Sequence, residues 1–417
     1  MGVDVIVIGA GLAGAAAASA LCAEGVDVVV LEARDRVGGR GYCRPFAGDG
    51  ELLDLGGAWI TPWQHRIRAL CSEHGVALRP RHPVTERRWF RDGALYLDGP
   101  ADEETLARHV AVLARIAQDA ERVASGELAG VSLAEYLDRL DAPQATRDLV
   151  SAWWTVSGNG DKQRVPASEL LTSWAHGDGS PDGICQPWAA TLEGGVPALA
   201  ERMIAASGAS LRQSCAVLQI VSGARGVVVH TADEEIRAAA AVIATGVNPM
   251  RSIAFEPELS PAKEAALEVG HLGRAVKVWA RVRGVDVGVL ATGGGRGIEW
   301  MFAERETNDR ATMLVGFGVA DGVFEIEAEA RAAVARFFPE AELLALDWHD
   351  WNADPFAEGA WVASVVGAEQ AFAAQTWDPE GRLAFASSDV APEDAGWFEG
   401  AVASGELATR ALLDSLG

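Results

Sequence analysis

A chain of 417 residues, 49% of them hydrophobic, can bury a large core and should divide into about two or three domains. Its net charge of −24 excludes a nucleic-acid partner, since phosphate binding needs clustered Lys and Arg. The same acidic surface keeps a protein soluble and attracts cationic small molecules through its long-range field.

Val3–Ile8 (VDVIVI) is a β-branched apolar run of the kind found in buried parallel strands. Asp4 and the glycines that follow interrupt the apolar N-terminus, so it does not read as a signal peptide. Gly9, Gly11 and Gly14 form a GxGxxG turn into an alanine-rich helix over Ala13–Ala23. Gly25 ends that helix, and Val26–Leu31 is a second strand finishing at Glu32. In such a βαβ unit the glycines let the backbone approach a pyrophosphate, and the helix start offers free N–H groups. Glu32 stands where a carboxylate would hold a ribose hydroxyl pair. The turn alone does not separate NAD from FAD. The extension Glu32-Ala-Arg34-Asp-Arg36-Val-Gly38-Gly39-Arg40 does, because it matches the E-x-x-x-x-x-G-G-R pattern of flavoproteins, with Arg40 as a planar fork for phosphate.

Leu53–Ile60 (LDLGGAWI) reads as a short strand whose glycine pair lies against something flat. From about Pro83 the character changes. Helices are expected over Glu103–Arg122 and, opened by a Ser132/Glu135 capping box, over Ser132–Leu140. Ala152–Asp161 is an aromatic run broken by glycines, and Asp178–Pro187 is loop-like. A helix follows Gly194-Gly195 to about Ala206, then strands at Ala216–Val221, Val227–Thr231 and Ala241–Ala244. A second insertion carries a strand at Ala275–Val282 and a helix at Ala328–Phe338. The fold class is α/β: a Rossmann-like FAD-binding domain (1–82, 186–262 and 354–417) interwoven with a mixed α+β substrate-binding domain (83–185 and 263–353). The cysteines Cys22, Cys43, Cys71, Cys185 and Cys215 show no metal spacing and suit a reducing cytoplasm. No stretch reaches the ~18 uncharged apolar residues of a membrane span.

Three segments, VIVIGAGLAG…LEARDRVGGR, DLGGAWI and GWFEGAVASGELATRALL, with weaker support from LEGGVPALAERM and GRAVKVW, make the chain resemble the flavin-dependent monoamine oxidase family. The likeness is strongest to its soluble bacterial branch, which includes hydroxynicotine oxidases. The resemblance implies that Gly56, Gly57, Ala58 and Trp59 pass close to the isoalloxazine, that Val217 contacts the adenine side through its backbone, and that Asp389 sits near the ribityl or pyrophosphate part. It also puts the helix opening at Trp397-Phe398 toward the pyrimidine ring, and packs Trp351 against the flavin. Lys277 matches the family lysine that reaches flavin N5 through water, and Trp361 and Trp397 match the aromatic pair flanking the amine. Ala360 replaces a cysteine that some relatives bond to the flavin, so the FAD should be non-covalent.

The implied reaction is hydride removal from the carbon beside a small aromatic or heterocyclic amine nitrogen, with oxygen reduced to hydrogen peroxide. Asn159, Trp174, Glu299 and Trp300 are the expected substrate contacts, drawn from 153–159, 174–188 and 299–302. His176 and His271 are the histidines expected nearest the pocket. No metal site is expected, no partner beyond the amine and O2 is required, and a homodimer is compatible with the sequence. Three other readings stay open: an L-amino-acid oxidase, for which no arginine stands out; a flavin dehydrogenase or desaturase serving a partner acceptor; and an idle FAD-binding scaffold.

Overall fold

The computed structural model describes residues 3–46, 51–123, 127–176, 190–294, 297–320 and 322–416. The expected loop Asp178–Pro187, with Cys185 and Trp188, lies outside them.

Two large sheets organise the molecule. The first has eight strands, in the order Ser210–Arg212, Val28–Leu31, Val3–Ile8, Glu235–Ile243, Gly226–Thr231, Val217–Gly223 and Ala254–Glu256, with Leu383–Phe385 also pairing with Glu235–Ile243. Val3–Ile8 pairs in parallel on both sides, and residues 5–8 are buried, as its continuous apolar run requires. The helix Leu12–Ala23 packs on one face of this sheet. Its alanines let the helix Phe398–Leu416 come close: a methyl on Gly405 would collide with the Ala13 carbonyl, and Thr409 Oγ1 donates to Ala17 O at 3.3 Å.

The second sheet has seven strands, ordered Glu342–Trp348, Ala275–Arg283, Thr312–Val319, Ile298–Glu306, Val289–Gly293, Glu86–Arg91 and Ala94–Tyr96. It is antiparallel except where Val289–Gly293 meets Glu86–Arg91. A group of helices, Glu103–Ala120, Leu133–Arg139, Gln144–Ser157 and Ala167–His176, has its own core around Trp153, Trp154 and Trp174. The capping box opening Leu133–Arg139 is made by Ser132 and Glu135, whose side chains satisfy each other's backbone N–H.

One expectation needs correction. Leu53–Ile60 is two strands: Leu52–Asp54 pairs with Cys43–Pro45, whereas Trp59–Ile60 joins a separate sheet with Ala190–Leu192. Gly56 and Gly57 make the break, because a side chain at either would strike a neighbour. A methyl at Gly57 would stand 2.6 Å from the Phe398 ring, and one at Gly56 would hit Arg40 O. The aromatic run Ala152–Asp161 begins inside a helix, Gln144–Ser157, and only its glycine-containing end lies beyond it.

Candidate active site

A cavity of about 640 Å³ connects the glycine turn of the first sheet to the aromatic segments at the second. Its size falls in the range of cofactor and ligand sites. At the glycine end its walls are Gly9, Gly11, Glu32, Arg34, Gly39 and Arg40. Gly9 has φ +107°, and a methyl there would meet Ala244 O at 2.7 Å, so only glycine makes this turn. Gly14 does not line the cavity; its missing side chain lets the helix seat on Gly9. No side chain caps the start of Leu12–Ala23, so its first N–H groups remain for a ligand.

Glu32 is fixed by two backbone donors, Ala10 N to Oε2 and Arg34 N to Oε1, each at 2.9 Å. Arg34 bonds Asp354 at 2.7 Å. Arg40 donates to Ala360 O at 2.7 Å, to Ser388 Oγ at 2.9 Å and to Asp389 Oδ1 at 2.6 Å. Asp389 is fully buried and does not itself line the cavity, whereas its neighbour Ser388 and its partner Arg40 do. Its second oxygen accepts Val247 N at 3.1 Å. Burial alone would raise its pKa, but the Arg40 guanidinium leads the groups that hold it below the ordinary carboxylate value. Asp389 therefore aims Arg40. Buried His271 stands behind it, with Nε2 at 3.9 Å from Asp389, while Nδ1 accepts Gly273 N at 3.0 Å. Burial pushes His271 down to about 4, so it is neutral.

The middle of the cavity is lined by Gly56, Gly57, Ala58, Trp59, Lys277, Phe317, Trp351 and Phe398, and Val217 with Ala216 lies on the sheet side. Trp351 donates Nε1 to Leu55 O at 3.0 Å, and its ring lies against Gly56. Lys277 is buried, donates to Gly56 O at 3.0 Å and lies among the Trp59, Trp279 and Phe317 rings at 5.3 to 5.8 Å. Burial pushes its pKa down to about 8, against the opposing pull of Asp54, and pushes the Asp54 carboxyl up to about 6. Thr245 Oγ1 and Trp59 Nε1 are buried without a hydrogen-bond partner among the described residues. With the glycine cradle and Arg40, these orphaned donors fit a bound dinucleotide with a flat ring system.

The last part of the wall carries Trp361 and Trp397. Trp397 meets the Trp63 ring edge-on at 5.4 Å. A methyl on Gly396 would lie 3.4 Å from Trp361, so the two tryptophan segments adjoin. Trp154, Ser157, Gly158, Glu169, Thr172 and Ser173 complete this side.

None of the four expected substrate contacts lines the cavity. Asn159 spends its amide on the framework, donating to Trp361 O at 2.8 Å and accepting Ala275 N at 3.2 Å. Trp174 packs edge-on against Trp153 in the helical core. Trp300 stands behind the wall, against Trp59 and Phe317, and Phe317 holds the lining position instead. Glu299, one residue before it, sits at a register irregularity between Ile298 and Trp300, where burial raises its pKa and Ser151 is its neighbour. Sequence reasoning missed Glu169, Thr172 and Ser173. Their helical spacing next to buried Leu170, Leu171 and Trp174 marks the polar face of a helix, which would ordinarily face water.

A profile of the family described as "Flavin containing amine oxidoreductase" matches residues 12–413. The chain is 30% identical to (S)-6-hydroxynicotine oxidase of Paenarthrobacter nicotinovorans, over 99% of this chain and all of that one. It is 27% identical to pseudooxynicotine dehydrogenase of a Pseudomonas species, over 96% of this chain and 84% of that one. The solved structure of cyclohexylamine oxidase from Brevibacterium oxydans superposes with a TM-score of 0.84 at 24% identity, covering both chains completely.

Proposed function

The chain belongs to the flavin-containing amine oxidoreductases, and from that premise we propose that it oxidises a small aromatic or heterocyclic amine with molecular oxygen as acceptor. Membership makes it an FAD-dependent amine oxidoreductase. The observation that carries the finer reading is the continuity of one cavity, from the glycine turn past Lys277 to Trp361 and Trp397. FAD, when bound, supplies the acceptor for the hydride on the carbon beside the amine nitrogen.

The chain's own residues do the rest. Gly9, Gly11, Arg34, Gly39 and Arg40 would hold the phosphates, Glu32 the ribose, and Gly56, Gly57 and Trp351 the flat ring, with Ala360 leaving the FAD non-covalent. Trp361 and Trp397 present apolar π faces that orient an amine and exclude water, and no general base is needed if the amine binds neutral. Lys277 would act on the oxygen step, since a buried ammonium beside the ring stabilises negative charge developing on oxygen. A dehydrogenase with a partner acceptor is the second reading, favoured by the likeness to pseudooxynicotine dehydrogenase. The scattered cysteines support a cytoplasmic setting, and among the described residues no helix is long and apolar enough to cross a membrane.

The test is an absorption spectrum of the purified protein, repeated after anaerobic mixing with a panel of amines. A yellow protein bleached by an amine and recoloured by air, with peroxide formed, supports the oxidase. Bleaching without recolouring by air transfers the assignment to the dehydrogenase.

A further inference from the structure

Glu169 is a carboxyl in the cavity wall that none of the roles assigned above uses. It lies in the first turn of Ala167–His176 and lines the cavity with Ser168, Thr172 and Ser173 of the same helix. Its Oε1 accepts both the backbone N–H of Ser364, at 2.6 Å, and the Ser364 hydroxyl. Ser364 follows Trp361 by three residues, which sets Glu169 on the Trp361 side of the cavity. Oε2 has no partner among the described residues.

A glutamine would hold Ser364 equally well, because both bonds end on one acceptor oxygen. What the carboxylate adds is charge, directed into a space walled by Trp154, Val156, Trp361 and Val362 and by the hydroxyl side chains of Ser168, Thr172 and Ser173, none of which carries a counter-charge. An unpaired charge in such surroundings is costly unless a ligand brings its counter-charge. Burial pushes the carboxyl up to about 7, with Glu369 adding to the rise, so near neutral pH it holds its proton about half the time, and a cation brought beside it draws it to the charged form.

We infer that Glu169 binds a second protonated nitrogen of the substrate, distant from the nitrogen whose neighbouring carbon is oxidised, so that the preferred donors are diamines or ring amines carrying a second basic nitrogen. This rests on the amine-oxidising reading above. It narrows the proposed substrate class to amines carrying a second basic nitrogen, and the acidic surface favours the approach of such cations.

The test compares matched donors in anaerobic bleaching of the flavin: diaminobutane against butylamine, and aminomethylpiperidine against cyclohexanemethylamine. The wild-type protein should prefer the member with the second nitrogen at least about tenfold in the second-order rate of bleaching. Glu169→Gln keeps the Ser364 bonds and should shrink that preference by about tenfold or more, with Glu169→Asp falling between. Bound FAD and far-ultraviolet circular dichroism establish that each variant is folded. A wild-type protein indifferent to the second nitrogen overturns the inference without any variant, as does a Glu169→Gln protein slowed equally on both members of a pair. If only monoamines bleach the flavin, the second-nitrogen site falls and amine oxidation stands. If no amine of any kind does, both fall together.

Discussion

At the scale of single residues, the proposed oxygen chemistry centres on Lys277. Its ammonium is buried among three rings with one carbonyl partner, an arrangement that favours losing the proton. If it serves the oxygen step, Lys277→Met should slow flavin reoxidation about a hundredfold more than flavin reduction, measured separately by stopped flow. Equal slowing of both half-reactions would remove the role. The pH dependence has a definite sign: a lysine depressed to about 8 is charged below that value, so reoxidation should fall as pH rises through about 8. In Lys277→Met that step should vanish. Trp361→Ala should lower turnover about tenfold by loosening the amine's orientation, with the FAD content of the purified protein unchanged. Loss of FAD would make the tryptophan part of the cofactor seat. The places of Lys277 and the two tryptophans in the cavity wall were legible because they stand in short motifs with fixed neighbours. The places of Glu299 and Trp300 off that wall were not, because residues 298–303 are buried throughout. With both faces of a strand buried, alternation no longer tells which side meets a ligand.

At the scale of elements, the cofactor end depends on joints between distant segments. Arg40 is held by Ala360, Ser388 and Asp389, and Asp389 also caps the short helix Val247–Met250. Removing the charge of Asp389 leaves Arg40 without its buried partner. Asp389→Asn should therefore weaken FAD retention by about tenfold or more, read as the dissociation constant from flavin fluorescence on titrating the apoprotein. An unchanged constant would mean that Ala360 and Ser388 suffice to aim Arg40. The elements themselves were largely readable. The first strand, turn, helix and second strand stand within a residue or two of their expected limits, because glycines and β-branched runs specify them locally. Leu53–Ile60 misled because two strands of different sheets adjoin across the Gly56-Gly57 break, and continuity of apolar residues does not reveal which sheet each half joins.

At the scale of the molecule, a net charge of −24 surrounds a cavity proposed to receive cations. Attraction over that distance is screened as the Debye length shortens from about 30 Å at low salt to about 8 Å at physiological ionic strength. For a charged amine kcat/KM should fall severalfold over that range, whereas an uncharged donor of similar shape should barely respond. A salt-insensitive rate would place the charge away from the entrance. Strands of the first sheet lie within 3–31, 210–256 and 383–385, and those of the second within 86–96 and 275–348, so the chain passes between the two sheets more than once. The inward-facing polar stripe of Ala167–His176 was not legible, because it and a solvated one look alike in sequence.

The division of the cavity wall has a practical corollary. Residues at the substrate side come from Gln144–Ser157, Ala167–His176 and the Trp361 segment, while the glycine turn and Arg40 come from elsewhere. A combinatorial library restricted to Ser168, Glu169, Thr172 and Ser173 would thus sample new donor preferences on one rigid helix, leaving the dinucleotide seat unaltered. Asn159 is the position such a library should exclude: its amide ties the Trp361 segment to the strand bearing Lys277, so repacking it would disturb selectivity and redox behaviour together.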